Sequence, residues 1–257
     1  MIILLHSSKT MKASKSDSVN LRRPLLIDKS NELNSYLRTL SVNQIAKVMS
    51  ISQPLALKTH KQMQEWNNQQ SLAIDSFVGD IYSGLQSSSL NKSDREYADK
   101  HLFILSGLYG VIRPLDYISP YRLEMAYRLP KEPYKNLYKF WGDSLASCLP
   151  ADDLIVNTSS VEYFQAISPY IKARNIVTPK FLTRNKLTGE PTFVVVHAKI
   201  ARGAFARWLI VNKIDDLRRF SEFDDIGYKY SPGLSSQNEP TYICQEFGGI
   251  GLSVRLV

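Results

Sequence analysis

The first ten residues, MIILLHSSKT (Met1–Thr10), set the terms on which the rest of the chain is read. Ile2–His6 is a short continuous apolar run, which suits a strand buried on both faces. It breaks into Ser7-Ser8-Lys9-Thr10, a small polar loop. The arrangement recurs downstream. LFILS (Leu102–Ser106) runs into Gly107, LIVN (Leu154–Asn157) runs into Thr158-Ser159-Ser160, and FVVVH (Phe193–His197) reads as a fourth strand. Helical patterns fall between them, at about 29–40, 41–49, 53–67, 93–100, 134–148, 160–171, 199–213 and 215–221. Strands alternating with helices predict an α/β fold, a compact mixed sheet covered by helices. Near the end, TYICQEF and IGLSVRLV around Gly248-Gly249 read as a hairpin.

In sheets of this kind, ligands gather at the loops beyond the strand ends. If the first three strands are parallel neighbours, the loops carrying Lys9, Ser106–Tyr109 and Glu162 meet at one end of the sheet. The helix after the fourth strand would bring Lys199 and Arg202 to the same end. Lys9, Arg113, Arg122, Glu162, Lys199 and Arg202 are therefore expected to line one cavity.

Composition narrows the partners. A chain of 257 residues can bury its core as one domain over 1–257. Its 32 Lys and Arg against 24 Asp and Glu leave a net charge of +8, which favours anionic partners through the summed field. Cys148 and Cys244 form no CxxC pair, and His6, His60, His101 and His197 show no metal-ligand spacing. No metal site and no cofactor are expected. MIILLH is too short for a signal sequence or a membrane span, so a cytoplasmic protein with no membrane partner is expected. Nothing in the sequence speaks to oligomeric state.

Three segments carry chemistry suited to anions. Ser41–Trp66 reads as two helices joined by a three-residue turn, a helix-hairpin-helix pattern with Ser50 and Ser52 in the turn and Lys47, Lys58 and Lys61 nearby. Such a hairpin offers backbone N–H groups to a phosphate, and the other reading is a plain helical pair packed on the sheet. Ala198–Lys213 is amphipathic: Lys199, Arg202 and Lys213 fall on one side, Arg207 flanks them, and Ile200, Ala204, Trp208 and Val211 face away. Cations at a helix start oppose the macrodipole, a conflict that a bound anion relieves. The third segment, Ser106–Met125, packs Arg113, Arg122, Tyr109, Tyr117, Tyr121, Asp116 and Glu124 between two prolines. Its arginines can grip a phosphate in bidentate fashion or pair with Asp116 and Glu124.

Six motifs then stand in a telling order: HSSKTM at 6–11, FVGDIYSGL at 77–85, SGLYGVIRPLDYISPYRLEM at 106–125, FWGD at 140–143, VNTSSVEYF at 156–164 and AKIARGAFAR at 198–207. In this the chain resembles the YaaA peroxide-stress protein family over roughly residues 1–246. It looks like a divergent member: His6-Ser7-Ser8-Lys9-Thr10 stands where Ser-Pro-Ala-Lys-Thr is usual, Ser159-Ser160-Val161-Glu162 where Ala-Ser-Asp-Glu is usual, and residues 247–257 run past the usual end. The resemblance implies a cytoplasmic protein tied to hydrogen peroxide survival and restraint of free iron. It also implies a compact α/β unit with a helix-hairpin-helix and a basic cleft, and DNA binding.

Two functions follow from these readings. One is a DNA-binding protective protein without catalysis, binding through Lys47, Ser50, Ser52, Lys58 and Lys61 with tolerance for sequence. The other is an enzyme acting on a nucleotide-like or other anionic small molecule. There Lys9, Glu162 and Lys199 would be catalytic, and Thr10, Ser106, Tyr109, Arg113, Tyr121, Arg122, Glu124, Arg202 and Arg207 would bind the anion. A protein-interaction module is a third reading. An open basic groove would favour DNA, and a concave pocket with converging Lys, Arg and Glu would favour a small molecule.

Overall fold

The computed structural model describes residues 1–12, 22–68, 70–151, 154–172 and 174–251. Its first sheet has five strands, in the order Gly110–Ile112, Leu102–Ser106, Ile2–His6, Leu154–Asn157, Asn175–Val177. All neighbours are parallel except the edge strand Gly110–Ile112, which folds back antiparallel on Leu102–Ser106. Ile2–His6 lies at the centre, with Leu4 opposite Phe103 on one side and Asn157 on the other. Every residue of Ile2–His6 and Leu102–Ser106 is buried, which is why both read as unbroken apolar runs. Because the three strands run the same way, Ser7–Lys9, Gly107 and Thr158–Ser160 emerge at one edge.

A second sheet of five short strands runs Pro191–Thr192, Lys180–Arg184, Thr241–Cys244, Tyr228–Tyr230, Asp224–Asp225. Thr241–Cys244 pairs antiparallel with the preceding Tyr228–Tyr230 and parallel with Lys180–Arg184. The first arm of the hairpin expected around Gly248-Gly249 is thus a strand, and of its second arm, 250–257, residues 252–257 lie outside the described residues. Helix Val195–Val211 covers this sheet, packing Phe205 against Phe181, Phe223 and Tyr242.

The segment Phe193–His197 is not a strand. Pairing stops at Thr192, and Val195 opens a 17-residue helix. Valines cost a helix only a few tenths of a kcal/mol each, and burial of Ala198, Ala201, Ala204 and Phe205 further along decides the matter. Lys199 consequently sits in the second turn and Arg202 beyond it, so the expected conflict with the macrodipole at the helix start does not arise. Elsewhere the expected helices are shorter. Gly142, at φ +53°, divides 134–148 into Leu137–Trp141 and Ser144–Ser147. Leu217–Glu222 is a 3-10 helix, and 160–171 reduces to Val161–Phe164 and a 3-10 turn at Ser168–Tyr170.

Ser41–Trp66 forms two helices, Val42–Met49 and Gln53–Gln64. Ser41 and Gln44 make a reciprocal capping box at the first. Ser50 takes the left-handed conformation at φ +51° where glycine would be cheaper. Ser52 precedes the second helix, but its side chain makes no capping bond. Ile45, Met49, Ala56 and Met63 are buried in the same contiguous apolar cluster as the first sheet, and Leu55 is half-buried. Among the described residues no helix is long and apolar enough to cross a membrane.

Candidate functional site

A cavity of about 380 Å³ opens at the edge where the three parallel strands end. His6, Ser7, Ser8, Lys9 and Thr10 from the loop after the first strand form one wall, and Ser160 and Tyr163 come from the loop after the third. Glu124 closes one side, Gly79 and Asp80 another, and Lys199 reaches in from the long helix. The short antiparallel pairing of Thr10–Met11 with Phe77–Val78 fixes the Gly79 side, reinforced by Ser8 Oγ donating to the Val78 carbonyl at 2.5 Å.

His6 sits at the back. Its Nδ1 accepts the Ser160 N–H at 3.2 Å, so in the neutral ring the proton belongs to Nε2. Tyr163 stacks on the ring with centroids 5.0 Å apart, and the Tyr82 hydroxyl donates to the His6 carbonyl at 3.0 Å. Burial, and then the charges of Arg202 and Lys199, lower its pKa from 6.5 to about 3. The ring is therefore a neutral hydrogen-bond donor flanked by two cations. Burial also lowers the pKa of Arg202. Among the described residues neither Arg202 nor Lys199 has a carboxylate partner.

A hydrogen-bonded chain crosses the floor. Ser7 Oγ donates to the Tyr163 hydroxyl at 3.1 Å, and that hydroxyl donates to Glu124 Oε1 at 3.1 Å. Glu124 Oε2 lies 3.4 Å from Lys9 Nζ. Desolvation raises the Glu124 pKa; Lys9 pulls it back and Glu162 adds to the rise. Glu162 is anchored by the Ala126 N–H, 3.0 Å from its Oε1. The lining is of mixed charge: Lys9 and Lys199 against Glu124 and Asp80, with Arg202 and Glu162 close by.

The residues singled out from sequence separate into groups. Lys9, Thr10, Glu124 and Lys199 line the cavity, and Glu162 and Arg202 adjoin it. Arg122 reaches its rim, donating from Nη1 to the Lys9 carbonyl at 3.2 Å, while its buried Nε has no partner. Ser106, Tyr109 and Tyr121 lie beneath as a buried strut: Ser106 Oγ and the Tyr121 hydroxyl are 2.6 Å apart, and the Tyr109 hydroxyl accepts from Trp66 Nε1 at 2.7 Å and the Ser119 N–H at 2.9 Å. Burial lifts the Tyr109 pKa to about 12.

Two arginines lie elsewhere. Arg113 pairs with fully buried Asp116 at 2.9 Å. Asp116 also holds Arg22 at 2.7 Å, and Arg22 in turn grips Asp99. Arg207 lies near Asp94, the partner of Lys213 at 2.8 Å. The expected cationic stripe along the helix is therefore split, with Lys199 and Arg202 facing the cavity side and Arg207 and Lys213 facing Asp94. Lys47, Ser50, Ser52, Lys58 and Lys61 are exposed on the helical pair, away from the cavity, and Lys61 lies 3.7 Å from Glu65.

Sequence reasoning passed over His6, Ser7, Asp80, Ser160 and Tyr163. The strand-end rule that located Lys9 reaches His6 and Ser7 equally, and Tyr163 directly follows Glu162 in VNTSSVEYF. Asp80 stands in the motif FVGDIYSGL, but nothing local placed it at the cavity, because the pairing that brings it here joins segments nearly seventy residues apart. Among the described residues no group of three or more His, Cys, Asp or Glu is placed to hold a metal ion.

Residues 1–234 match the family described as Peroxide stress protein YaaA. A UPF0246 protein of Salinispora tropica is 53% identical over 258 residues, covering 99% of this chain and 98% of its own length. UPF0246 proteins of Marinomonas sp. and Burkholderia lata are 37% and 36% identical, covering 96% and 95% of this chain and 98% and 97% of their own lengths. The Salinispora alignment also takes in nearly all of the tail beyond residue 234. On a family match across most of its length and relatives aligned almost end to end, the chain belongs to the YaaA peroxide stress protein family.

Proposed function

We propose that the chain serves its family's peroxide-stress role by binding an anionic small molecule in the strand-end cavity. Lys199, Arg202 and the Nε2–H of neutral His6 hold the anion. The Lys9–Glu124 pair, with Glu162 beside it, is placed to exchange a proton with the bound molecule, and Arg122 steadies the Lys9 loop from the rim. The observation that carries this reading is a neutral imidazole between two cations that lack carboxylate partners among the described residues. Burial lowers the pKa of Arg202; a desolvated cation without a partner is costly, and an anion is the group that offsets the cost. The mixed charge of the lining favours a small molecule with one anionic end over a uniformly charged polymer. The test is calorimetric titration with ribose phosphate, a small phosphomonoester. Wild type should bind, and Lys199→Ala and Arg202→Gln should each lose about tenfold to a hundredfold in affinity, the worth of one charge-assisted hydrogen bond. Failure to bind, or unchanged affinity in both folded variants, would remove the anion site.

A second reading places DNA on the helical pair, as a helix-hairpin-helix beside a basic surface. What supports it is the exposed Ser50–Ser52 turn, the helix Gln53–Gln64 left without a side-chain cap, and the exposed Lys47 and Lys58. In this reading protection from peroxide is indirect, by covering DNA. The apolar cluster shared by the helical pair and the first sheet supports treating 1–257 as one YaaA-like domain.

A further inference from the structure

A second cavity, of about 450 Å³, lies beside the first, and the two share Val78 and Gly79 in their walls. Its walls differ in character. Phe77 and Tyr82 give it an apolar floor, Ser83, Ser87 and Ser88 supply hydroxyls, and Ile250 stands at its edge with two-thirds of its surface exposed. No carboxylate lines it, and Lys12 is its one charged residue among those described. The two cavities are also coupled structurally. Tyr82, in the wall of the second, donates to the His6 carbonyl at the back of the first, and Phe77 lies tilted against Tyr82 with centroids 5.1 Å apart. Between them stands Gly79 at φ +155°, where an added Cβ would lie 2.8 Å from Ser8 Oγ. A side chain at this position would fill the partition, so the absence of one keeps the boundary low. Each cavity alone is at the small end of the roughly 300–1,000 Å³ range usual for ligand pockets, and together they reach its upper part.

We propose that the two cavities are subsites of one site, and that the ligand is a phosphomonoester of a nucleoside, its anion at Lys199, Arg202 and His6 and its heterocycle over Phe77 and Tyr82 beyond Gly79. This rests on the anion-binding reading above and adds the second half of the ligand. A flat heterocycle matches the second cavity in kind: it brings an apolar face to Phe77, Tyr82 and Ile250, and edge groups that hydrogen-bond to serine hydroxyls. The partition at Gly79 sets the order, with the charged group on the Lys199 side and the uncharged group on the Ser88 side.

The test compares adenosine monophosphate with ribose phosphate, which lacks the base, by calorimetry on the full chain. Adenosine monophosphate should bind at least about tenfold more tightly. Ser88→Trp, at an exposed position where bulk enters the second cavity, should reduce adenosine monophosphate to the affinity of ribose phosphate and leave ribose phosphate unchanged. Equal binding of the two compounds to wild type would overturn the two-subsite proposal while leaving the anion site standing. An affinity ratio unaltered in Ser88→Trp would overturn it as well. Absence of binding by either compound would take down both readings together.

Discussion

Folding lowers the proton affinity of His6 from 6.5 to about 3 because the ring is buried beside Arg202 and Lys199. The unfolded chain accepts a proton there below about pH 6.5 that the native chain refuses. The stability tied to this ring is thus fully present above that pH and is lost as pH falls toward 3, at no more than about 1.4 kcal/mol per pH unit. Denaturant unfolding between about pH 7 and pH 5 should show a shallower pH slope in His6→Gln than in wild type; an equal slope would mean the ring is not held neutral. The arginines divide by the same accounting of partners. Asp116 is fully buried between Arg113 and Arg22, so Asp116→Ala should cost about 1–3 kcal/mol in unfolding free energy by removing the carboxylate partner of Arg113 and one of the two partners of Arg22, which keeps Asp99. Arg113→Ala should lower stability yet leave ribose phosphate affinity at the wild-type value, and a loss of affinity there would return Arg113 to the site. From sequence, Arg113 and Arg122 look alike, eight residues before and one after Tyr121. What separates them is the network around Asp116, which holds Arg113 and is itself gripped by Arg22 from a distant part of the chain.

The long helix reaches the cavity because two glycines let it lie against helix Asp80–Leu85. A Cβ on Gly203 would fall 1.8 Å from the Ile81 carbonyl oxygen, and one on Gly84 would fall 2.0 Å from the Ile200 carbonyl oxygen. Both obstacles are backbone, so neither can swing aside. Gly203→Ala should destabilise by about 3 kcal/mol in denaturant midpoint measurements and weaken ribose phosphate binding, since Lys199 and Arg202 ride on the displaced helix. Gly233→Ala, where nothing lies within 4 Å, should change stability by less than about 0.5 kcal/mol. A near-neutral Gly203→Ala would mean the helices are not in backbone contact. At this scale the sequence was legible wherever burial was complete. Ile2–His6, Leu102–Ser106 and Leu154–Asn157 read as strands because both faces of the sheet are covered. Phe193–His197 has the same composition and is misread, because periodicity cannot distinguish a β-branched strand from the first turn of a helix anchored by Ala198 and Phe205 further on. The helical pair at Ser41–Trp66 was legible to within a few residues, since its apolar spacing is a local signal.

At the scale of the whole molecule, the +8 charge is consistent with either partner, a small anion or a nucleic acid. If DNA binds at the helical pair, the contact is through phosphates: affinity should fall steeply with salt and be gone by roughly 0.5 M, and Lys58→Glu should weaken it while leaving ribose phosphate binding intact. Full affinity in high salt would refute an electrostatic contact, and equal loss of both activities in Lys58→Glu would refute two separate sites. That Lys9 and Glu162 would meet at one end of the sheet followed from the parallel order of the first three strands; Lys199 and Arg202 reach that end on a long helix rather than after the expected fourth strand. Glutamates among the cations were expected too, but Asp80 was not, because it arrives through a two-residue strand pairing. The central claim is that His6, Lys199 and Arg202 form an anion site, and a crystal structure of the protein grown with ribose phosphate tests it most directly. The account predicts phosphate density within hydrogen-bond reach of His6 Nε2, Lys199 Nζ and the Arg202 guanidinium; an empty cavity at saturating ligand, or phosphate bound instead at Lys47 and Lys58, would contradict it.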